Sequence, residues 1–437
     1  MVNKSPEGNS STSMCKDKWF FPEELRHGLQ TFDLPPRIID ECLACAWEYS
    51  RCVIPEWTNW DRYLAFNRTI IIAIIAEFRG DLIPENGSKN VAGYDLDELL
   101  KILFCGTTMH EDMSREFKSF LLISTEKSGN RLNSELFRRY LNAVVKSPQS
   151  WFRLRDCDAL ARYTIASALV CNDHNEDPFN EDQWQLIAEL GDTLYDAVAF
   201  YKHRAEGETN NTFGYVGGDM RVESYRVYRE VLWALDAAWA RDPVKRCVLN
   251  FTRFFGGVIH MTTRRYRFVE DGLMIGRQET EQVVELTRDN FKLWNRVEGK
   301  PVALVKDEHY TAIIAQSDKL LFSGFSSILQ SSAEKHCSHC SHQTFSGRKT
   351  IKQFGGIRLC DECKQEWREY MRTFPSRLRA AFPDVLTIIT SDQPNYENSI
   401  ETSCGPEISS ESSDGSVVKE QIRSKGGWSR LIRDFWK

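Results

Sequence analysis

No stretch of this sequence is apolar for long enough to cross a bilayer. The longest greasy run, Ile70–Ala76 within TIIIAIIAEFRGD, falls far short of the roughly 20 residues a spanning helix requires. Positive charge is not in excess either. With 56 Lys and Arg against 62 Asp and Glu, the net charge of −6 argues against general nucleic-acid binding, which needs a basic surface. Alternating strand patterns hardly occur between Pro22 and Ser331, and there is no internal repeat of roughly 20–50 residues, so sheet folds and solenoids are disfavoured. Met1–Lys18 lacks the apolar core of a secretory signal and reads as a disordered N-terminus, residues 1–18.

What the sequence has is helical periodicity. Apolar residues recur at helical spacing over Ile38–Arg51, Asp61–Arg79, Leu96–Leu103, Asp112–Ser124, Ser134–Val145, Cys157–Val170, Glu181–Arg204, Ser224–Ala240, Pro243–Arg264, Glu279–Glu298 and Asp307–Ser331. The spacing predicts an all-α body over 19–331. Ile70–Ala76 is apolar all round, as a central buried helix would be. Ser134 and Asp307 can cap helices, Asp177-Pro178 and Asn180 precede the Glu181 helix, and Gly191 sits on an apolar stripe where close packing fits. A second unit, 333–386, carries two cysteine pairs and a helix from Asp361. Beyond it, 387–437 turns rich in Ser and Glu, a disordered tail whose amphipathic end WSRLIRDFWK suits docking or weak membrane contact.

Thirteen cysteines do not form a secreted disulfide framework. Cys42, Cys45, Cys52, Cys105, Cys157, Cys171 and Cys247 are scattered through apolar helical patterns, where thiols behave as small hydrophobes. A reducing, cytoplasmic compartment is expected. Cys337-x2-Cys340 and Cys360-x2-Cys363 differ: two such pairs supply four thiolates for a closed tetrahedral shell, the pattern of structural Zn²⁺ in a zinc-ribbon-like module.

The densest chemistry lies in GDTLYDAVAFYKHRAEGETNN, Gly191–Asn211. At about 100° per residue, Trp184, Ile187, Gly191, Leu194, Val198 and Tyr201 share one side and Gln185, Asp192, Asp196 and His203 the other. Two readings stay open. Asp192 and Asp196 with the cations Lys202 and Arg204 suit Mg²⁺ and a diphosphate; equally, the polar side is the solvated face of an amphipathic helix. Arg264 and Arg265 downstream add planar forks that match phosphate oxygens. Glu77, a lone carboxylate ending the apolar helix, must find a partner or hold a proton, and buried-helix Glu41 is a weaker case. Asp156 and Asp158 are expected to open the Cys157 helix and complement its dipole. The run Asn172–Asp177 reads either as a loose acidic metal motif or as a helix-ending loop.

Several long strings, among them ACAWEYSRCVIPEWTNWDRYLAF (44–66), WFRLRDCDALARYTIASALVCND (151–173), GDTLYDAVAFYKHRAEGETNNTF (191–213) and RFFGGVIHMTTRRYRFVED (253–271), resemble one family. It is the fungal sesquiterpene synthases of abscisic-acid clusters, the alpha-ionylideneethane synthases, and the resemblance runs from about Trp19 to Phe382. It implies a multi-helix, terpenoid-synthase-like bundle acting on farnesyl diphosphate with Mg²⁺. Diphosphate would leave first to give neutral polyenes, and reprotonation would close the ring of (2Z,4E)-alpha-ionylideneethane, an abscisic acid precursor. The usual DDxxD is missing, so metal ligands do not carry over from ordinary terpene cyclases. On that scheme Glu77 returns the proton with Glu41 as partner or second acid, Asp192 and Asp196 hold Mg²⁺, and Lys202, Arg204, Arg264 and Arg265 hold diphosphate. The rival expectations are a related cyclase with a different product and a non-enzymatic zinc-ribbon adaptor. No oligomeric state follows from the sequence.

Overall fold

A computed structural model of the chain describes residues 20–29, 34–83, 90–128, 134–206, 208–261, 307–332, 337–342 and 355–385. The expected N-terminal and C-terminal tails, Arg264, Arg265 and the helix expected at 279–298 lie outside the described residues, as does the Lys202 side chain. Among the described residues no helix is long and apolar enough to cross a membrane.

The described chain is helical almost throughout. It contains α1 (Pro36–Val53), α2 (Trp60–Phe78), α3 (Leu96–Phe104), α4 (His110–Ser128), α5 (Glu135–Lys146), α6 (Pro148–Ala159), α7 (Ala161–Cys171) and α8 (Glu181–Glu206). The short α9 (Phe213–Val216), then α10 (Gly218–Trp239) and α11 (Pro243–Phe255), complete the main body. The segment read as one helix over 307–331 is instead three: α12 (Asp307–Ile314), α13 (Ser317–Leu320) and α14 (Phe325–Ser331). Gly324 at φ +92° separates the last two, a conformation open to glycine and costly for other residues.

Local chemistry sets the helix starts. The Ser134 hydroxyl accepts from Phe137 N. Asn180 and Gln183 bond each other's backbone N–H reciprocally, a capping box that opens α8. Pro148 and Pro243 occupy first-turn positions, where a missing N–H costs nothing. Ile70–Ala76 is buried on every side of α2, as its unbroken apolarity predicts. α8 runs through the middle, packing on α6, α7, α10 and α11. A Cβ on Gly191 would come within 3.0 Å of the Phe251 ring, so glycine lets α11 approach there.

Two expectations change. The helix expected from Cys157 is broken at Leu160, which stands at φ +54°, a left-handed conformation that costs roughly 1–2 kcal/mol in a non-glycine residue. Asp156 and Asp158 therefore fall in the last turn of α6. Asp156 Oδ1 still accepts from Arg162 N and so caps α7, whereas Asp158 turns into the interior. The second change concerns α8. Its acid side is no solvated face: Asp192 and Asp196 are 0% exposed and His203 4%.

Candidate active site

A buried charge network fills the space between α6 and α8. Arg155, fully buried, donates from Nη1 to Asp158 Oδ2 at 2.6 Å and from Nη2 to Asp196 Oδ1 at 2.8 Å. Lys127, in the last turn of α4, pairs with Asp158 Oδ1, and the Asn210 amide donates to Asp158 Oδ2. Thr212 N donates to Asp196 Oδ2 at 2.8 Å. The Asn211 amide donates to Asp196 O and to His203 Nδ1, both at 2.9 Å. Phe213 N holds the Asn211 oxygen, which fixes which end of the amide faces the imidazole. The 208–212 segment thus closes over the end of α8 and satisfies the acids from outside the helix.

Asp192 is the exception. Both its carboxyl oxygens are buried without a hydrogen-bond partner. Burial raises its pKa well above the ordinary carboxyl value; Arg155 opposes this, while Asp156, Asp196 and Asp158 add to it. Burial also raises Asp196, against the pull of Arg155 and Thr212. Charge counting makes the same point. Lys127 and Arg155 balance Asp158 and Asp196, so a charged Asp192 would be one anion too many in a medium that penalises unpaired charge. Asp192 is the member with room for a proton or a cation.

The remaining expected residues are distributed unevenly. Glu41 is buried on α1 and Glu77 half-buried at the end of α2, so neither shares a helix with the network. Ser128 Oγ donates to Ala76 O, which sets the end of α2 against the turn of α4 that carries Lys127. Arg204 lies over the Tyr201 ring at 4.9 Å, and Arg221, unanticipated, lies 4.9 Å from the same ring. Trp47 and Trp60 belong to an aromatic cluster with Trp57 and Tyr63, while Tyr195 stacks on Phe255. In the Asn172–Asp177 run, Asp173 accepts from Thr58 and Asn59, and Asp177 from the Trp184 indole, so these two acids are spent on loop structure.

Arg155, Asp158, Lys127 and Asn210 were missed. The sequence signal for Arg155 and Asp158 is WFRLRDCD (151–158), where Arg153, Arg155, Asp156 and Asp158 crowd a single apolar helix. A second network uses the others: Arg153 pairs with Glu116, and Arg162 bridges Asp156 and Glu181.

The four thiols converge. Cys337 and Cys360 sulfurs are 3.6 Å apart, Cys340 and Cys363 3.7 Å, and all four lie within 4.8 Å. Tetrahedral zinc with bonds of about 2.3 Å sets sulfurs about 3.8 Å apart, whereas a disulfide needs about 2.05 Å. The set fits Zn²⁺. Among the described residues it is the one group of three or more potential ligands so close together. The His339 N–H and the Cys360 thiol draw the Cys337 thiol down to about 6. The module is built into the body through α15 (Asp361–Arg372) and α16 (Phe374–Ala381). Trp367 Nε1 donates to Val144 O at 2.9 Å. Buried Glu189 of α8 accepts from Tyr228, Tyr370 and both Arg377 Nη atoms at 2.7–2.9 Å.

The described residues form a mainly helical body that keeps a carboxyl without a hydrogen-bond partner beside buried cations. The family described as "Alpha-ionylideneethane synthase aba3" matches residues 17–384, and the chain belongs to that family. The alpha-ionylideneethane synthase aba3 of Botryotinia fuckeliana strain B05.10 is 53% identical over 85% of this chain and 84% of its own. The synthase abl3 of Leptosphaeria maculans is 49% identical over 86% and 88%, and abl3 of Pyricularia oryzae 44% over 85% and 83%.

Proposed function

We propose that this chain is a sesquiterpene synthase that converts farnesyl diphosphate to (2Z,4E)-alpha-ionylideneethane, a step toward abscisic acid. The observation that carries the polar half of the reaction is Asp192, whose two buried, unpartnered oxygens adjoin a network that is otherwise charge-balanced. Asp192 would hold Mg²⁺, with Asp196 one turn along; both oxygens of Asp196 already bond Arg155 and Thr212, so it keeps only its second lone pairs for an ion. When bound, Mg²⁺ supplies charge neutralisation for a leaving diphosphate. Lys202, Arg204, Arg264 and Arg265 would bind the remaining oxygens, and Lys127 joins them as a cation beside the network.

The chemistry balances without an added reactant. The C–O bond breaks with its electron pair on diphosphate, and loss of a proton leaves a neutral polyene. A protein acid then protonates one alkene carbon, the ring closes, and loss of a second proton sets the ring double bond. Glu77, at the end of the apolar α2, is the acid of this reading, with Glu41 as partner or second acid. One observation favours a second assignment: without a metal, burial raises the pKa of Asp192, which suits a proton donor in place of a metal ligand.

Purified protein with farnesyl diphosphate and Mg²⁺ in D₂O tests the scheme by mass spectrometry of the hydrocarbon extract. Deuterium enters the product if an exchangeable acid returns the proton; a cyclised product without deuterium refutes the neutral-polyene route. Glu77→Gln and Asp192→Asn separate the two acids: loss of cyclised product with accumulation of acyclic polyene marks the proton donor.

A further inference from the structure

The four-thiol module touches the candidate site through two glycines. Its hairpin pairs β1 (Ser341–His342) with β2 (Ile357–Arg358), so Cys340 adjoins one strand and Cys360 follows closely on the other. Gly355 and Gly356 lie directly before β2. Gly355 N donates to Glu208 O, and Gly356 N donates to the Tyr215 hydroxyl, both at 3.2 Å. That hydroxyl in turn donates to Thr209 O. Side chains are barred at both positions. Gly355 stands at φ +84° with Gly214 O 3.2 Å from where a Cβ would sit, and at Gly356 the Leu141 side chain would be 2.5 Å away. Trp367 also anchors the module to α5.

The segment held this way, 208–215, is the one that satisfies the acids. Asn210 reaches Asp158, Asn211 reaches His203 and the Asp196 carbonyl, and Thr212 N reaches the Asp196 carboxylate. Buried Tyr215 sits at the junction, 5.1 Å from the Trp151 ring, whose Nε1 donates to Thr212 Oγ1.

We infer that the thiol-held metal acts at a distance on the acid network, by bracing the 208–215 segment through Gly355, Gly356 and Tyr215, and that Tyr215 is a positioning residue for Asp196 and Asp158. The module is thus part of the catalytic apparatus, not an appended binding domain. The inference rests on the assignment of that network as the site of diphosphate chemistry; the physical coupling between metal and segment does not.

Tyr215→Phe removes one hydroxyl and keeps the ring. In the full-length protein it is expected to retain one zinc per chain and to melt within a few degrees of the parent. Amide hydrogen exchange over 209–213 is expected to quicken about tenfold, the scale of one lost hydrogen bond. The kcat for farnesyl diphosphate, referred to the folded fraction read from the melting curve, is expected to fall about tenfold with KM within about twofold, as for an interaction made in the transition state alone. Parental exchange over 209–213, or parental kcat with that segment loosened, overturns the inference. If the variant does not fold, zinc is removed from the parent with a chelator. Exchange over 209–213 is then expected to rise while the α8 amides around Asp192 stay protected, and simultaneous opening of both overturns it. Should the parent make no hydrocarbon from farnesyl diphosphate, the reading of the site fails, and the exchange measurements still decide whether the metal braces the segment.

Discussion

Replacing Arg155 by Met tests the buried network most directly. The guanidinium is 1% exposed and bonds two carboxylates at 2.6 and 2.8 Å. Met fills much of the same volume, so the loss is mainly electrostatic. Asp158 keeps Lys127 and Asn210, but Asp196 keeps only the Thr212 N–H among the bonds described for its carboxylate. Breaking a buried pair from one side costs about 3–5 kcal/mol, and that is the expected destabilisation near neutral pH, read from urea denaturation. The pH dependence has a fixed sign. Asp196 is already raised by burial and loses its main opposing cation, so its folded pKa rises further. The native state then binds more protons than the unfolded chain above the unfolded value of about 3.9, and stability falls as pH rises through the folded pKa. The deficit relative to the parent is therefore smaller at about pH 5 than at about pH 8. Adding Asp196→Asn should recover part of the loss by removing the orphaned anion. A deficit below about 1 kcal/mol, or one that does not change with pH, refutes the network as described.

Three further outcomes follow from the same geometry. Asp192→Asn should abolish Mg²⁺-dependent product formation and flatten the fall in melting temperature with rising pH that a raised carboxyl imposes; an unchanged pH profile would contradict the raised carboxyl. Arg377→Met should cost about 3 kcal/mol by stranding Glu189, measurable by urea titration followed by tryptophan fluorescence, and parental stability would contradict the buried pairing. Cys363→Ser should reduce bound zinc from one per chain toward none and lower the melting temperature, because metal affinity at such a site is folding free energy. Full zinc occupancy in that variant would argue for a different ligand set.

Much of the helical framework was legible because its signals are local. Ile70–Ala76, the Ser134 cap, the start of α8 after Asn180 and the close approach at Gly191 each depend on residues within a turn or two of one another, or on a missing side chain. The break at Leu160 was not legible: no glycine or proline marks it, and it is sustained by tertiary packing. The acid side of α8 was ambiguous for a related reason. A helical projection separates Asp192 and Asp196 from the apolar stripe, but what they face is decided by Arg155, 41 residues distant from Asp196 in sequence. The thiol pairs were readable from spacing alone. Their integration into the body was not, since it depends on Trp367, Tyr370 and Arg377 meeting α5 and α8 across 181–223 residues.

The pairing of Glu189 with Arg377 also has a temporal side. The two residues are separated by 188 positions, so at translation rates of 5–20 residues per second the ribosome makes Glu189 about 10–40 s before its guanidinium partner exists. During that interval the middle of α8 carries an anion that the finished protein neutralises only with a late-synthesised segment. The nascent helical layer must wait, hydrated or shielded by other factors, until the last stretch emerges. A polypeptide halted before Arg377 would lack the ion that lets its central helix be sealed from water.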